Sequence, residues 1–343
     1  MSSLLEARET IKQFYGKHGI YVDPVLKFLG ALIALLVING NMGYMELLNN
    51  IVIVLVVALM CSFMPRNFIV LVSALFVLLH TYALAVECAI VVFAAFLLMF
   101  LLYFRFTPKD TKIVLLTPLL FALKVPYVMP VAVGLLGGPI SVIAVSCGVA
   151  VRFMIRFMKD NFTTFSAQDA ETGSQKLRLM IDGIMDNKAM LVTIVAFAIT
   201  VILVYTIRRL STDHSWSIAI LVGTTTDAVF LLICEFMMDL NFSVLGIIAG
   251  SAVSFFLCQI IRFMEFNVDY SRTEMVQFED DEYYYYVKAV PKVVLAVPEK
   301  KVKRINRQLK SKPGKQVRKA STIKTAHGVS RTTTARAEND NKH

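Results

Sequence analysis

Charge is scarce in this chain. Asp, Glu, Lys and Arg make up 17% of its 343 residues, while hydrophobic residues make up 57%. Soluble domains average about 25% charged residues and about 45–50% apolar ones with glycine included, so an ordinary water-soluble domain is excluded. Tryptophan occurs once and cysteine five times. Cys61, Cys88, Cys147, Cys234 and Cys258 all lie in apolar stretches, with no CxxC pair and no Cys/His spacing suited to zinc. They read as buried free thiols, not as a secreted disulfide framework. GxxxxGK[ST], HExxH and GxSxG are also missing, which excludes ATP hydrolysis by a P-loop and leaves no residues that nominate themselves for catalysis. The expectation is a non-enzymatic protein with no metal and no cofactor. The first twenty residues mix charged and apolar groups and show no small-residue cleavage site of a signal peptide.

What the chain does have is long apolar runs. They fall near 24–40, 45–63, 67–85, 86–104, 113–132, 138–157, 190–207, 216–238 and 242–264. One bilayer crossing takes about 20 apolar residues. The pattern predicts an all-α fold, a polytopic transmembrane bundle of about nine spans, with eight or ten as alternatives. Ahead of it, residues 1–23 place Leu4, Ile11, Phe14 and Tyr15 on one helical face, as an interfacial amphipathic segment does. The membrane domain then covers 24–265. Its one sizeable connection, 159–189, carries an amphipathic helix at 175–187, either a stabilising connector or a docking helix for a cytoplasmic partner.

The stretch 113–158 is the most irregular. Pro118, Pro126 and Pro130 interrupt the first of its two expected crossings, Lys124 lies deep inside that crossing, and Gly137-Gly138-Pro139 makes the turn to the second. Proline removes a backbone donor, and hydrocarbon cannot satisfy the carbonyl left over, so such a segment needs surrounding helices or a wet cavity. Asp227 falls near the middle of the 216–238 span, after Thr224, Thr225 and Thr226. A carboxylate there costs roughly 2.5–3.5 kcal/mol on insertion scales. It reads either as a proton or cation site helped by the threonine hydroxyls, or as a structural hydrogen bond or ion pair between helices. Lys124 is its natural partner by depth. Lys27 and Arg152 are long enough to snorkel, His80 suits a hydrogen-bonded core position, and Gly134, Gly148, Gly246 and Gly250 suit close helix packing.

Lys and Arg distribute asymmetrically among the loops. The N-terminus, the loops at 65–67 and 105–112 and the segment 152–188, with Arg156, Lys159, Lys176 and Arg178, are basic, and the loops at 41–44 and 133–139 have no Lys or Arg, which places the N-terminus, with those basic segments, in the cytoplasm of a plasma-membrane protein. Nine spans then put the C-terminal tail outside, whereas its charge favours the cytoplasm: residues 266–343 hold 17 Lys/Arg against 9 Asp/Glu. The tail divides in two. Residues 266–298 carry an acidic run, then Tyr283, Tyr284, Tyr285 and Tyr286 as a partner-binding candidate, with two short strands expected to be split by Pro291. Residues 299–343 read as disordered and basic, suited to anionic lipid from inside or to an anionic wall polymer from outside. Without aromatics among the charges, nucleic acid is disfavoured.

The strings RFTPKD (105–110), KVPYVMP with GLLGGP (124–139) and FEDDEYYYYVKAVPK (278–292) resemble a group of bacterial multi-pass membrane proteins labelled permease-like, some of them ABC transporter permeases. The resemblance implies a permease-like subunit of a transport or export system, driven by a separate ATPase or other transport subunit. A stand-alone ion- or proton-coupled transporter using Asp227, and a membrane scaffold recruiting partners through its tail, are the alternatives.

Overall fold

A computed structural model of the chain describes residues 2–166, 173–265 and 273–291. The apolar runs become helices: α1 (Ser2–Asn41), α2 (Glu46–Asn49), α3 (Ile51–Phe63), α4 (Arg66–Leu84), α5 (Val86–Phe106), α6 (Thr111–Ala122), α7 (Val128–Leu136) and α8 (Val142–Asp160). The short α9 (Phe162–Ser166) and the amphipathic α10 (Gly173–Met185) follow, then α11 (Lys188–Arg208), α12 (Ser215–Met238) and α13 (Val244–Glu265). Among the described residues, seven helical stretches are long and apolar enough to cross a membrane, and α3 and α6 are shorter apolar helices. Large apolar side chains such as Leu98, Leu101, Ile202, Phe236 and Phe256 face outward, while polar ones such as Thr117, Thr200 and Asp227 are buried. That inversion marks a multi-pass membrane protein, whose outer surface meets lipid.

Two packing clusters share α8. One gathers α1, α3, α4 and α5 around Met154, Ile155 and Met158 of α8, with Phe165 and Met180 closing it. The other joins α7, α8, α11, α12 and α13 through Met129, Val149, Phe153, Phe197, Leu231 and Ile247. Small residues set the spacing of the second. A Cβ on Gly134 of α7 would lie 2.6 Å from Val204 of α11, and one on Gly223 of α12 would lie 2.2 Å from the same side chain.

The proline-broken stretch departs from the expected pair of crossings. The Ser141 hydroxyl, just before α8, donates to the Asp110 carboxylate, just before α6, at 2.6 Å. Further along both helices, a Cβ on Gly148 would lie 2.5 Å from Thr117. So α6 and α8 start on one face of the bundle and run side by side in the same direction, and α7 runs back between their ends. Twelve residues in α6 and nine in α7 span only about 18 and 14 Å, roughly half of a 30 Å hydrocarbon core. The chain stops at Leu123–Tyr127, with Pro126 buried in the break, and returns to the face it left. Pro118 lies within α6 and Pro130 near the start of α7, where proline is tolerated. Gly137 and Gly138 end α7, and Pro139 opens a 3₁₀ turn to Ser141, so the expected turn forms but on the opposite face from the one expected.

Side-chain contacts sort the loops accordingly. On one face Arg66 pairs with Asp23 at 2.5 Å, Arg208 donates to the Gly137 carbonyl at 2.7 Å, and Arg8 donates to the Met264 carbonyl at 2.9 Å. On the other, Tyr44 stacks on Phe162 at 5.3 Å, Thr81 donates to the Met158 sulfur, and Gly173 lies against the Glu87 carboxylate. The start of α1 and the end of α13 therefore share a face. The 159–189 connection shares the face of the 42–45 loop, which corrects its expected placement beside 105–112, because the returning α7 reverses every later helix. There α10 lies on α5 and α8 with Met180 fully buried, as a connector does.

Three smaller differences concern the ends and the second run. The expected interfacial segment is continuous with the first long helix in α1, kinked at His18. The run at 45–63 is divided at Asn50, whose side chain caps α3 by accepting from the Val52 N–H. In the juxtamembrane segment, β1 (Glu274–Glu279) pairs antiparallel with β2 (Tyr284–Ala289). This hairpin contains the expected strand before Pro291, paired with Glu274–Glu279, and adds a β element to a fold read as all-α. The expected second strand beyond Pro291 and the basic tail 299–343 lie outside the described residues.

Candidate functional site

The α6–α7 break forms part of the lining of a cavity of about 600 Å³. Phe121, Lys124, Pro126 and Tyr127 come from the break, Arg152, Phe153 and Arg156 from α8, Thr193 and Phe197 from α11. Leu231 of α12 and Phe242–Ala249, leading into α13, complete it. The polar character is one-sided: Lys124, Arg152 and Arg156 line it, and no Asp or Glu does.

Lys124 is held there by the backbone. The Val125 N–H bonds the Leu120 carbonyl at 2.9 Å, closing a Schellman cap on α6, and Lys124 occupies its left-handed position with φ 61°. Glycine is the usual residue at that position, and a side chain there costs about 1–2 kcal/mol. Behind the break, α13 comes close: a Cβ on Gly250 would lie 2.5 Å from the Tyr127 ring. This small residue, like Gly148, serves the close packing expected of it.

The three cations are poorly compensated. Among the described residues the Lys124 ammonium has no ion pair and no hydrogen bond. Arg152 donates to the neutral amide oxygen of Asn41 at 3.3 Å. Arg156 approaches Asp160 at 3.5 Å on its own helix, with both side chains more than half exposed. Arg152 and Arg156 stand one turn apart on one helix, a like-charge arrangement that is itself unfavourable.

Asp227 is 1% exposed and sits at the α11–α12 junction. Its Oδ1 accepts from the Thr200 hydroxyl at 3.3 Å, and its Oδ2 is buried without a partner. Lys124 and Asp227 form no ion pair. The cavity-lining Tyr127 lies within electrostatic reach of Asp227, and Leu231, one helical turn on from Asp227, lines the cavity. The neighbouring hydroxyls are spent elsewhere: Thr224 donates to the carbonyls of Ile220 and Leu221, and Thr225 to those of Leu221 and Val222. Thr226 makes no hydrogen bond to Asp227. The hydroxyl that serves the carboxyl, Thr200, is a residue that sequence reasoning passed over. A threonine inside an apolar span was the signal available for it.

His80 is fully buried. Its Nδ1 accepts from the Met45 N–H at 3.1 Å, so Nε2 carries the proton and donates to Asn39 Oδ1 at 2.9 Å. Both ring nitrogens are satisfied, as a structural histidine requires. In the hairpin, Tyr283, Tyr284 and Tyr286 are exposed and Tyr285 stacks on Phe278 at 4.9 Å. The turn is held by Asp280, which accepts from the N–H groups of Glu282 and Tyr283 and from the Tyr285 hydroxyl. Lys288 pairs with Asp213 at 2.7 Å, tying the hairpin to the α11–α12 loop. No family model, curated protein or solved structure matches the chain.

Proposed function

We propose that this chain is a permease-like, non-enzymatic membrane transport protein whose substrate site is the cavity beside the α6–α7 break. The observation that carries this reading is the pair of half-helices whose interruption lines a cavity of about 600 Å³. Irregular backbone at membrane depth is tolerated where it lines a cavity or is buried in protein, and transporters build sites near the midplane from such interrupted helices. The resemblance to permease-labelled bacterial proteins points the same way, with a separate ATPase or other subunit supplying energy.

The topology that goes with this reading has eight crossings, by α1, α3, α4, α5, α8, α11, α12 and α13, with α6–α7 re-entrant. The face bearing the N-terminus carries Arg66, Arg105, Lys109, Lys112, Arg208 and Arg209 in its short loops. On the other face the connections at 42–50, 85 and 239–243 have no Lys or Arg. By that asymmetry the N-terminal face is cytoplasmic, and the cavity residues of α8, α11 and α13 belong to the outer half. An even count also brings the basic tail into the cytoplasm, where its charge suits anionic lipid.

A second reading is favoured by one observation, the partnerless Oδ2 of Asp227. A proton carried on that carboxyl would couple transport to an ion gradient in a protein that works alone. Asp227→Asn separates the two, since transport driven by another subunit survives it and proton coupling does not.

Access from both sides tests transport itself. With the native cysteines replaced, Ala249→Cys is probed with an impermeant maleimide in right-side-out and inverted vesicles. A carrier exposes the cavity to each side in turn, so both preparations react. Reaction from one side under every condition overturns the transport reading and leaves a binding protein.

A further inference from the structure

We propose that the cavity binds a phosphate ester that carries an apolar body. This rests on the cavity being the substrate site but is tested by binding alone. Three cations from two elements converge on the cavity, and no carboxylate lines it. Lys124 is exposed on the cavity at membrane depth in the proposed topology, where an ammonium without a counter-charge is costly, and two arginines one turn apart repel each other. A bound anion relieves both. Asp160 offsets part of the charge of Arg156, which leaves roughly two positive charges to match. A phosphate monoester carries about −1.5 to −2 at neutral pH and offers three acceptor oxygens, and arginine forks suit phosphate bidentately.

The rest of the lining describes the other end of the ligand. Phe121, Phe153, Phe197, Leu231, Phe242 and Leu245 form apolar and aromatic walls. A cavity of about 600 Å³ is far larger than inorganic phosphate needs and lies within the about 300–1,000 Å³ that holds drug-sized ligands. A lipid phosphate and a soluble phosphorylated metabolite share this chemistry.

The full chain is purified and titrated calorimetrically with phenyl phosphate, inorganic phosphate, benzoate and benzyl alcohol. In parallel it is reconstituted in nanodiscs of phosphatidylcholine with and without phosphatidic acid. Phenyl phosphate is expected to bind at least tenfold more tightly than inorganic phosphate or benzoate, benzyl alcohol not at all, and added salt to weaken the binding. Phosphatidic acid competing with phenyl phosphate identifies a lipid source. Undiminished phenyl phosphate binding beside phosphatidic acid identifies a soluble one. Lys124→Gly keeps the cap on α6 and should lose at least tenfold in affinity, as should Arg152→Gln, while Arg105→Gln changes nothing. Absence of binding by either phosphate ester to a chain that melts cooperatively overturns the proposal. So does benzoate binding as tightly as phenyl phosphate, or unchanged affinity in Lys124→Gly. Binding with one-sided maleimide access keeps this ligand and removes transport; two-sided access without binding does the reverse.

Discussion

At the scale of single residues, Lys124 is the position where local and functional demands conflict. Its left-handed backbone, φ 61°, asks for glycine, and its ammonium, exposed on the cavity, has no ion pair or hydrogen bond among the described residues. Lys124→Gly removes both costs in the unliganded protein. The expected gain is about 1 kcal/mol from the backbone alone, read as a higher melting temperature in detergent; a fall would mean that the ammonium makes a stabilising contact. The opposite sign is expected at Gly223. Leucine there drives a side chain into Val204, already 2.2 Å from where a Cβ would sit. Overpacking of this kind costs about 1–3 kcal/mol, and equal melting temperatures for the variant and the parent would rule out the close α11–α12 contact. These sites also show how far the sequence could be read. Depth along a helix follows from counting residues, so Asp227 and Lys124 were legible as polar groups in the apolar zone. Rotation about the helix axis does not follow from counting. That is why Lys124 was matched by depth to a partner it does not meet, and why Thr200, the actual partner on α11, was missed.

At the scale of elements, residues 113–158 show the ambiguity most clearly. Forty-six residues suffice for two full crossings or for two half-helices and one crossing, and composition is the same in both cases. What decides is the Schellman cap at Lys124 followed by buried Pro126, which turns the chain back halfway. A disulfide tests this. In a chain without its native cysteines, Asp110→Cys with Ser141→Cys should oxidise readily, because these side chains touch at 2.6 Å. Two full crossings would put them about 30 Å apart, and no cross-link would form. The hairpin was visible only in part. The Tyr-rich stretch suggested a strand, but its partner was sought beyond Pro291 because the strand-like residues there are more apolar than Glu274–Glu279. The turn is organised by Asp280, whose carboxyl is held below the ordinary carboxylate range by the Glu282 N–H, the Tyr285 hydroxyl and the Tyr283 N–H. Since the folded value lies below the unfolded one, its support is complete above about pH 4 and fades as pH falls through the folded value. Asp280→Ala should remove it at every pH, seen at neutral pH as lost hydrogen-exchange protection at Glu282 and Tyr283. Protection equal to the parent's would show that strand pairing alone holds the turn.

At the scale of the whole molecule, one reversed half-helix decides the sidedness of everything after it. Composition fixed the membrane class, and the loop charges gave a consistent orientation through six expected spans, with 152–188 set on the N-terminal face. Beyond that, an expected nine crossings set the tail's charge against its location. The eight-crossing topology proposed for the chain, with α6–α7 re-entrant, would remove that conflict without altering any earlier helix. It also carries a cost, because the connection 159–189, which holds Lys159, Lys176, Arg178 and Lys188, moves to the face opposite the N-terminus. That connection contains five acids against those four bases, Asp160, Asp169, Glu171, Asp182 and Asp186, and Arg178 pairs with Asp182 along α10 at 3.6 Å. Lys and Arg set orientation chiefly through short loops, and this is the longest connection between α1 and α13. The contact of Arg8 with the Met264 carbonyl makes the outcome testable at both ends. Single cysteines at Ser330 and Asn241, each in a chain lacking the native thiols, are probed with an impermeant reagent in intact cells. Ser330→Cys should react only after lysis, and Asn241→Cys, in the loop before α13, should react in intact cells. The reverse pattern, which nine full crossings from a cytoplasmic N-terminus give, would overturn the eight-crossing topology and with it the re-entrant hairpin. Reaction of both from outside would mean that α13 does not cross, against the shared face of Arg8 and Met264.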